Sequence, residues 1–532
     1  MRVQDIEIPY EKDRSRRYRF FEILPGVLTW SIFILPFVLA FVAPHVLIFI
    51  FITYILLWFV KSVGMLVRNF QGLKRMEEFK KLDWRAMTED LQSGVVSENR
   101  VAPKWHGENL RFVKTMKPDD VYHAIVIAAY NETKEVLEPT IQSVLESNYD
   151  MKKVILVMAY EGRDGAQSEK AVLELAKEYG NHFAHTLTAK HPLNPKEVRG
   201  KGGNITYAAR ELEKYLEDKK INPINVVVTT LDSDNRPHKE YLAALTYLYV
   251  VCPDPLYASF QPVPIYTNNI WDAPAPMRVI ATGNSFWNIV LSMRPHMIRN
   301  FSSHAQSMAA LIETDYWSVR TVVEDGHQFW RTYFRFDGKH EVYPLYLPIY
   351  QDAVFSSSYV KTLKMQFIQI RRWAWGASDI AYVVDKGFFS KNKVPKKDLI
   401  MKLARLTEGH ISWSTSAIIL LVGGFIPQLI NPLDYSSNQL PILAGRIQTV
   451  AMVGILATLY LSLKTLPPKP ARYKRHRTIF MVLQWVLLPV TTILYNAFSA
   501  INAQTRLMFG KYLDKFDVTD KAMITEDNKK VI

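Results

Sequence analysis

Four groups of side chains in this chain of 532 residues have the types and spacing to do chemistry. Asp232 and Asp234 flank Ser233 in Leu231-Asp232-Ser233-Asp234-Asn235, directly after a Val226 to Leu231 run that reads as a buried strand. An extended backbone alternates its side chains, so both carboxylates can point one way. Such a pair suits a hard divalent cation that is held by one or two carboxylates and bridges to substrate phosphates. The same spacing also suits turn chemistry. Arg199-Gly200-Lys201-Gly202-Gly203-Asn204 precedes a helical pattern, where backbone donors and Lys201 could meet an anionic phosphate. It departs from the Walker pattern and reads equally as a flexible loop. Val323-Glu324-Asp325-Gly326 sets a carboxylate pair in a largely uncharged stretch, after an apparent helix from Ala305 to Tyr316. A base that takes a proton from a hydroxyl needs a carboxylate of this kind, and so does a helix cap. In Gln369-Ile370-Arg371-Arg372-Trp373, positions 369, 372 and 373 share one helical face. An amide, a guanidinium and an indole together can bind a diphosphate and stack on a sugar ring. Arg371 and Trp375 read better as anchors at a membrane surface.

The elements that must position these groups follow from periodicity. His123 to Tyr130, Val154 to Tyr160 and Val226 to Leu231 are short apolar runs expected to be strands. Helical patterns at Val136 to Ser147, Ser168 to Tyr179 and Ile205 to Leu216 separate them. Strand and helix in alternation predict a doubly wound α/β domain, with its ligand site at the carboxyl ends of the strands.

Composition frames that domain. The chain is 48% hydrophobic and 22% charged, which excludes disorder and collagen-like repeats. Cys252 is alone, so thiolates build no disulfide or metal cluster. Leu24 to Val42 and Val46 to Val67 are apolar on every side except for Lys61, and are split by Ala43-Pro44-His45. A run of that length spans about 28 Å as a helix, close to the hydrocarbon thickness, so the pair reads as a membrane hairpin. Basic residues flank it on both sides, which puts both ends in the cytoplasm. Three more apolar runs follow at Ile411 to Ile430, Ile447 to Leu466 and Thr478 to Ile501. The loop Asn431 to Gly445 lacks Lys and Arg and is expected outside, whereas Lys464 to Arg477 is basic and expected inside. Pro489 either breaks the last run into two short spans, returning the tail to the cytoplasm, or only kinks one helix. The expected order is a basic segment and hairpin (1–67), a linker (68–120), the α/β domain (121–385), an amphipathic interface segment (386–410), C-terminal membrane helices (411–505) and a tail (506–532). The formal net charge of +14 falls largely beside these spans, where topology and anionic lipid explain it without nucleic acid.

In order, Asn131-Glu132, Asp232-x-Asp234, Glu324-Asp325 and Gln369-x-x-Arg372-Trp373 resemble the motifs of processive family 2 glycosyltransferases, the membrane-embedded cellulose, chitin and hyaluronan synthases. The resemblance covers roughly Val121 to Tyr382 plus the membrane layout, which is nearest to hyaluronan synthases. It implies a GT-A fold, a Rossmann-like cytosolic domain inserted between N- and C-terminal transmembrane helices of the cell membrane. It further implies inverting transfer from a nucleotide-sugar, UDP-linked rather than GDP-linked, to a glycan or lipid acceptor. Asp234 would bind Mg²⁺ or Mn²⁺ with Asp232, which also contacts the nucleotide. Asn131, Glu132 and Lys201 would belong to the donor site. Glu161 or Asp164 would replace the family's Asp pair at the nucleotide base. Asp325, beside Glu324, would be the general base, and Gln369, Arg372 and Trp373 would border the acceptor and diphosphate. Phe301-Ser302-Ser303-His304-Ala305 replaces the Phe-Cys-Gly-Ser-Ala of cellulose synthases, which argues against cellulose as product. Two other readings stand beside polymer synthesis. One is transfer of a single sugar to a polyprenyl phosphate or glycolipid; the other is a transporter or scaffold without catalysis, for which the spans hold few ionisable residues.

Overall fold

The computed structural model describes residues 6–97, 102–113, 116–162, 166–192, 194–474 and 476–513. Eight strands form one mixed sheet: β1 (Tyr122–Ala129), β2 (Val154–Glu161), β3 (His185–His191), β4 (Val226–Asp232), β5 (Arg236–Pro237), β6 (Ala258–Tyr266), β7 (Ala305–Ser307) and β8 (Glu341–Gln351). Their order is β3-β2-β1-β4-β7-β6-β8-β5, parallel except at β7 and β5. The central strands are apolar on both faces because helices cover both. Ile125, Ile127, Leu156 and Met158 pack under helices Lys134–Leu145 and Ala166–Tyr179, while Val126, Ile155 and Val157 pack under helix Lys201–Lys219.

The three expected strands and their helices are present, the last helix starting four residues earlier than its apolar pattern. Four further strands of three or more residues, β3, β6, β7 and β8, lacked a clear signal. Pro262 and Pro264 in β6, and Pro344 and Pro348 in β8, remove ladder donors, and the register slips between Gln261 and Val263. The apparent helix from Ala305 to Tyr316 is corrected. Its first three residues are β7, wedged between β4 and β6, and the helix runs only Met308–Glu313, capped by Ser307 Oγ.

Among the described residues five helices are long and apolar enough to cross a membrane: Arg16–Val42, Pro44–Lys80, Lys396–Ile430, Tyr435–Thr465 and His476–Met508. The second does not stop where its apolar run ends. It continues as a rod to Lys80, with Arg75 over the ring of Tyr346 at 4.7 Å and Leu73 against Val263 and Ile265. Likewise helix Lys396–Val422 runs unbroken through the boundary expected at 410. Around Pro489 the last run stays helical, tightening at Gln484–Leu487 and widening at Thr492–Ala497. Both of its ends meet the α/β domain. Arg477 donates to Trp271 O at 2.8 Å, and Leu507 packs beside Val322 and Trp375.

A short strap precedes the first helix. Tyr382 donates to Ile6 O at 2.6 Å, Ser318 to Glu7 Oε1 at 2.5 Å and Arg320 to Ile8 O at 2.8 Å. Buried Arg331, on helix Glu324–Arg335, pairs with Glu7 at 3.5 Å.

Candidate active site

The chain folds so that β1, β2 and β4 end together, with Ala128 level with Asp232 and Ala129 with Tyr160. Asn204 staples two of these ends, its amide donating to Ala129 O and Ala159 O at 3.3 Å each. Asn204 belongs to the first turn of helix Lys201–Lys219, so the glycine-rich stretch is not a loop but that helix's start. Gly202 and Gly203 allow the close approach, since a Cβ would strike Ser318 O at the first and lie 2.6 Å from Glu197 at the second.

Lys201 Nζ thereby sits 2.9 Å from Asp232 Oδ1 and 3.6 Å from Asp325 Oδ1. Burial alone would lower its pKa, but Asp232, Asp325 and Glu324 outweigh that and raise it, so the ammonium stays charged. Glu324 is 2% exposed, and burial with the adjacent Asp325 pushes its carboxyl up to about 8 against the pull of Lys201 and Arg372. Asp325, in the first turn of helix Glu324–Arg335, therefore lies between a cation and a carboxyl whose pKa is raised.

The stretch from Phe301 to Ala305 joins the two acidic groups. Ser302 donates to Asp232 Oδ2 at 2.6 Å, and His304 Nδ1 lies 3.8 Å from Asp325 Oδ1. His304 Nδ1 also meets Phe301 O at 2.9 Å, and Trp317 Nε1 donates to its Nε2 at 3.3 Å. A carbonyl only accepts and an indole N–H only donates, so the ring is fixed as the Nδ1–H tautomer. Burial lowers its pKa and keeps it neutral. Periodicity gave no sign of His304; the only signal was its place in a departure from the family pattern.

A cavity of about 1570 Å³ opens on this end of the sheet. Glu132, Glu161, Lys201, Asp232, Asp234, Glu324, Asp325, Gln369, Arg372 and Trp373 all line it. Asp234 Oδ2 accepts the Asp352 amide at 3.1 Å in the turn after β4. Glu132 accepts from Ser233 Oγ at 2.9 Å. Gln369, Arg372 and Trp373 share a face of helix Tyr359–Ala374, and Trp373 lies 6.3 Å, ring to ring, from Tyr266. Burial followed by Asp234 and Asp232 raises the Tyr266 phenol, and Tyr266 lines the same cavity. Glu161 ends β2 against His191, whose pKa burial would lower but Glu161 and Glu197 raise to about 9. Asn131 does not line the cavity; it turns the chain between Tyr130 and Glu132 at φ +60°. Asp164 lies outside the described residues.

No three His, Cys, Asp or Glu side chains among the described residues are grouped to hold a metal. A hard cation needs fewer, because phosphates and water complete its shell. Asp232 is held by Lys201 and Ser302 and Asp234 by the Asp352 amide, and both carboxylates line the cavity. The donor set fits Mg²⁺ or Mn²⁺ carried on a diphosphate.

No protein-family model and no curated protein matches the chain. Solved structures overlap it loosely. The mannosyltransferase PcManGT from Pyrobaculum calidifontis, in complex with GDP-Man and Mn²⁺, is 13% identical over 81% of this chain and 99% of its own, at a TM-score of 0.38. S. aureus TarS 1-349 in complex with UDP-GlcNAc is 14% identical over 74% and 93%, at 0.36. Overlaps this loose assign the chain nothing; the side chains around the cavity must do so.

Proposed function

We propose that the chain is an inverting glycosyltransferase of the cell membrane, drawing a nucleotide-sugar from the cytoplasm and extending a glycan. One observation carries this reading: Asp234, Asp325 and Trp373, far apart in sequence, line a single cavity that continues between apolar helices. On this reading residues 121–385 face the cytoplasm and the diphosphate lies against Lys201 and Arg372. Bound Mg²⁺ or Mn²⁺, held by Asp234 with Asp232, would neutralise charge on that diphosphate. Asp325 takes the proton of the acceptor hydroxyl. The freed oxygen bonds to the anomeric carbon as the carbon–oxygen bond to the diphosphate breaks on the opposite face, so the configuration inverts. Trp373 and Tyr266 offer rings for the sugar to stack on. Trp58 and Trp413, deeper along the same cavity, favour a long acceptor over a single sugar.

General base catalysis typically contributes about 10² to 10⁴-fold, so Asp325→Asn should lower turnover by that order while donor affinity holds. The assay is release of nucleoside diphosphate from labelled UDP- and GDP-sugars in purified membranes, with product sizing. A ladder of chain lengths is expected. A single lipid-linked sugar would replace polymer synthesis with transfer to a carrier, and release from no donor would remove catalysis altogether.

A further inference from the structure

Away from the sheet, the cavity reaches a second region built from other residues. Helices Pro44–Lys80 and Lys396–Val422 meet at one end, where Phe51 packs on Ile419 and leaves no room for a side chain at Gly423. Nearer the α/β domain a gap between them opens on the cavity, lined by Met65 and Asn69 from the first helix and by Arg405 and Ser412 from the second. The gap is crossed by the Lys61–Glu408 pair at 2.6 Å, whose side chains are both half exposed.

Positive charge gathers here. Arg294, His296, Arg299 and Arg405 line the cavity, and Arg68 is close enough to lower the pKa of both Arg294 and His296 behind the larger effect of burial. Among the described residues none of the four arginines forms an ion pair. Arg68 donates to Gly64 O at 2.9 Å, Arg405 to His296 O at 3.2 Å, Arg294 reaches Met297 Sδ at 3.8 Å, and Arg299 lies 4.8 Å over the Trp330 ring. Asp379 offsets the charge of Arg299, but Arg68, Arg294 and Arg405 have no carboxylate within ion-pair distance among the described residues, and forked guanidinium donors of this kind match phosphate.

The height of the cluster identifies the source of that phosphate. Arg68 is the first charge after the apolar run ending at Val67, and Arg405 lies just before the one starting at Ile411. Both therefore stand at the level of lipid headgroups. Trp287 and Met401, 46% and 42% exposed, carry apolar surface at the same rim. We propose that this mouth binds the phosphate of a membrane lipid, which enters sideways between the two helices with its chains against that rim. The proposal rests on the helices lying in a bilayer, and not on sugar transfer, so it is tested with no donor present.

The full chain is placed in nanodiscs of equal parts phosphatidylcholine and phosphatidylglycerol, and lipid retained after transfer to detergent is read by native mass spectrometry. Phosphatidylglycerol should be retained selectively, and Arg294→Gln with Arg405→Gln should lower its affinity about fivefold per arginine. Lys464→Gln with Lys474→Gln, beside the spans but outside the cavity lining, should lower it less. Equal loss in both pairs, or no loss in either, overturns the site. Should the arginine pair fail to fold, a headgroup photo-crosslinker on phosphatidylglycerol should label 294–299 and 401–405 of the unaltered chain; labelling only elsewhere overturns it. Added polyprenyl phosphate that displaces phosphatidylglycerol supports a lipid phosphate and names a carrier as the source. Displacement by inorganic phosphate at the same concentration overturns the lipid assignment in favour of a free anion.

Discussion

Lys201 is the residue on which the acidic site turns. Lys201 is buried but its partner Asp232 is about a third exposed, so stranding the carboxylates costs less than the roughly 3–5 kcal/mol of a fully buried pair, and Lys201→Met should lower thermal stability beyond its loss of packing. Melting of the purified protein measures this, and Asp232→Asn in the same background should restore part of it. Glu324 gives a test in pH. Its folded pKa of about 8 exceeds the ordinary 4.5, so between those values the folded state binds more protons than the unfolded one. Its contribution to stability therefore falls as the pH climbs from 4.5 and is at its worst above 8. Glu324→Gln should flatten that decline, read as melting temperature against pH. The carboxylates were legible in the sequence because acidic pairs stand out in apolar stretches. His304, Trp317 and Ser302 were not, because a histidine or serine in a loop has no period and gains its meaning only from the Asp325 or Asp232 that folding brings to it.

At the scale of elements, the helix Lys201–Lys219 is set by its first two glycines. Gly202→Ala would force a methyl group against Ser318 O and the Glu324 side chain, moving the first turn away from Asp325. A loss of about 1–3 kcal/mol is expected from such overpacking, together with weaker donor binding, seen by melting and by titration with nucleotide. Gly283, whose Cβ would meet nothing within 4 Å, is the control. The helix was legible from Ile205 onward, where apolar residues recur. Its first turn was not, because Gly-Gly reads as a breaker until the packing that needs it is known. Strands β1, β2 and β4 declared themselves as β-branched runs buried on both faces. Strands β6 and β8 did not, because each carries two prolines and is held by its neighbours rather than by local preference.

For the whole molecule, the order of apolar and polar segments announced five apolar runs, read as five or six spans, around an α/β unit, but not how they meet it. Arg19 donates to Leu507 O and Met508 O at 2.7 and 2.6 Å, fastening the end of the last helix to the start of the first. No local pattern encodes a contact of that separation. Metal dependence also belongs at this scale, because the cation would arrive with the donor and not with the folded chain. Excess chelator should abolish transfer and spare melting temperature, and activity that survives chelation would remove Asp234 and Asp232 from that role.

The strap at Ile6 to Ile8 fixes an order of events in biosynthesis. Its anchor Tyr382 lies 376 positions downstream, and at roughly 5–20 residues per second the ribosome delivers it tens of seconds later. Glu7 must wait over a somewhat shorter interval for Ser318 and Arg331, which belong to the stretch around the proposed base. Helix Glu324–Arg335 is therefore fastened only after the leading hairpin has been made, and a nascent chain stalled before residue 318 should leave this segment open to protease.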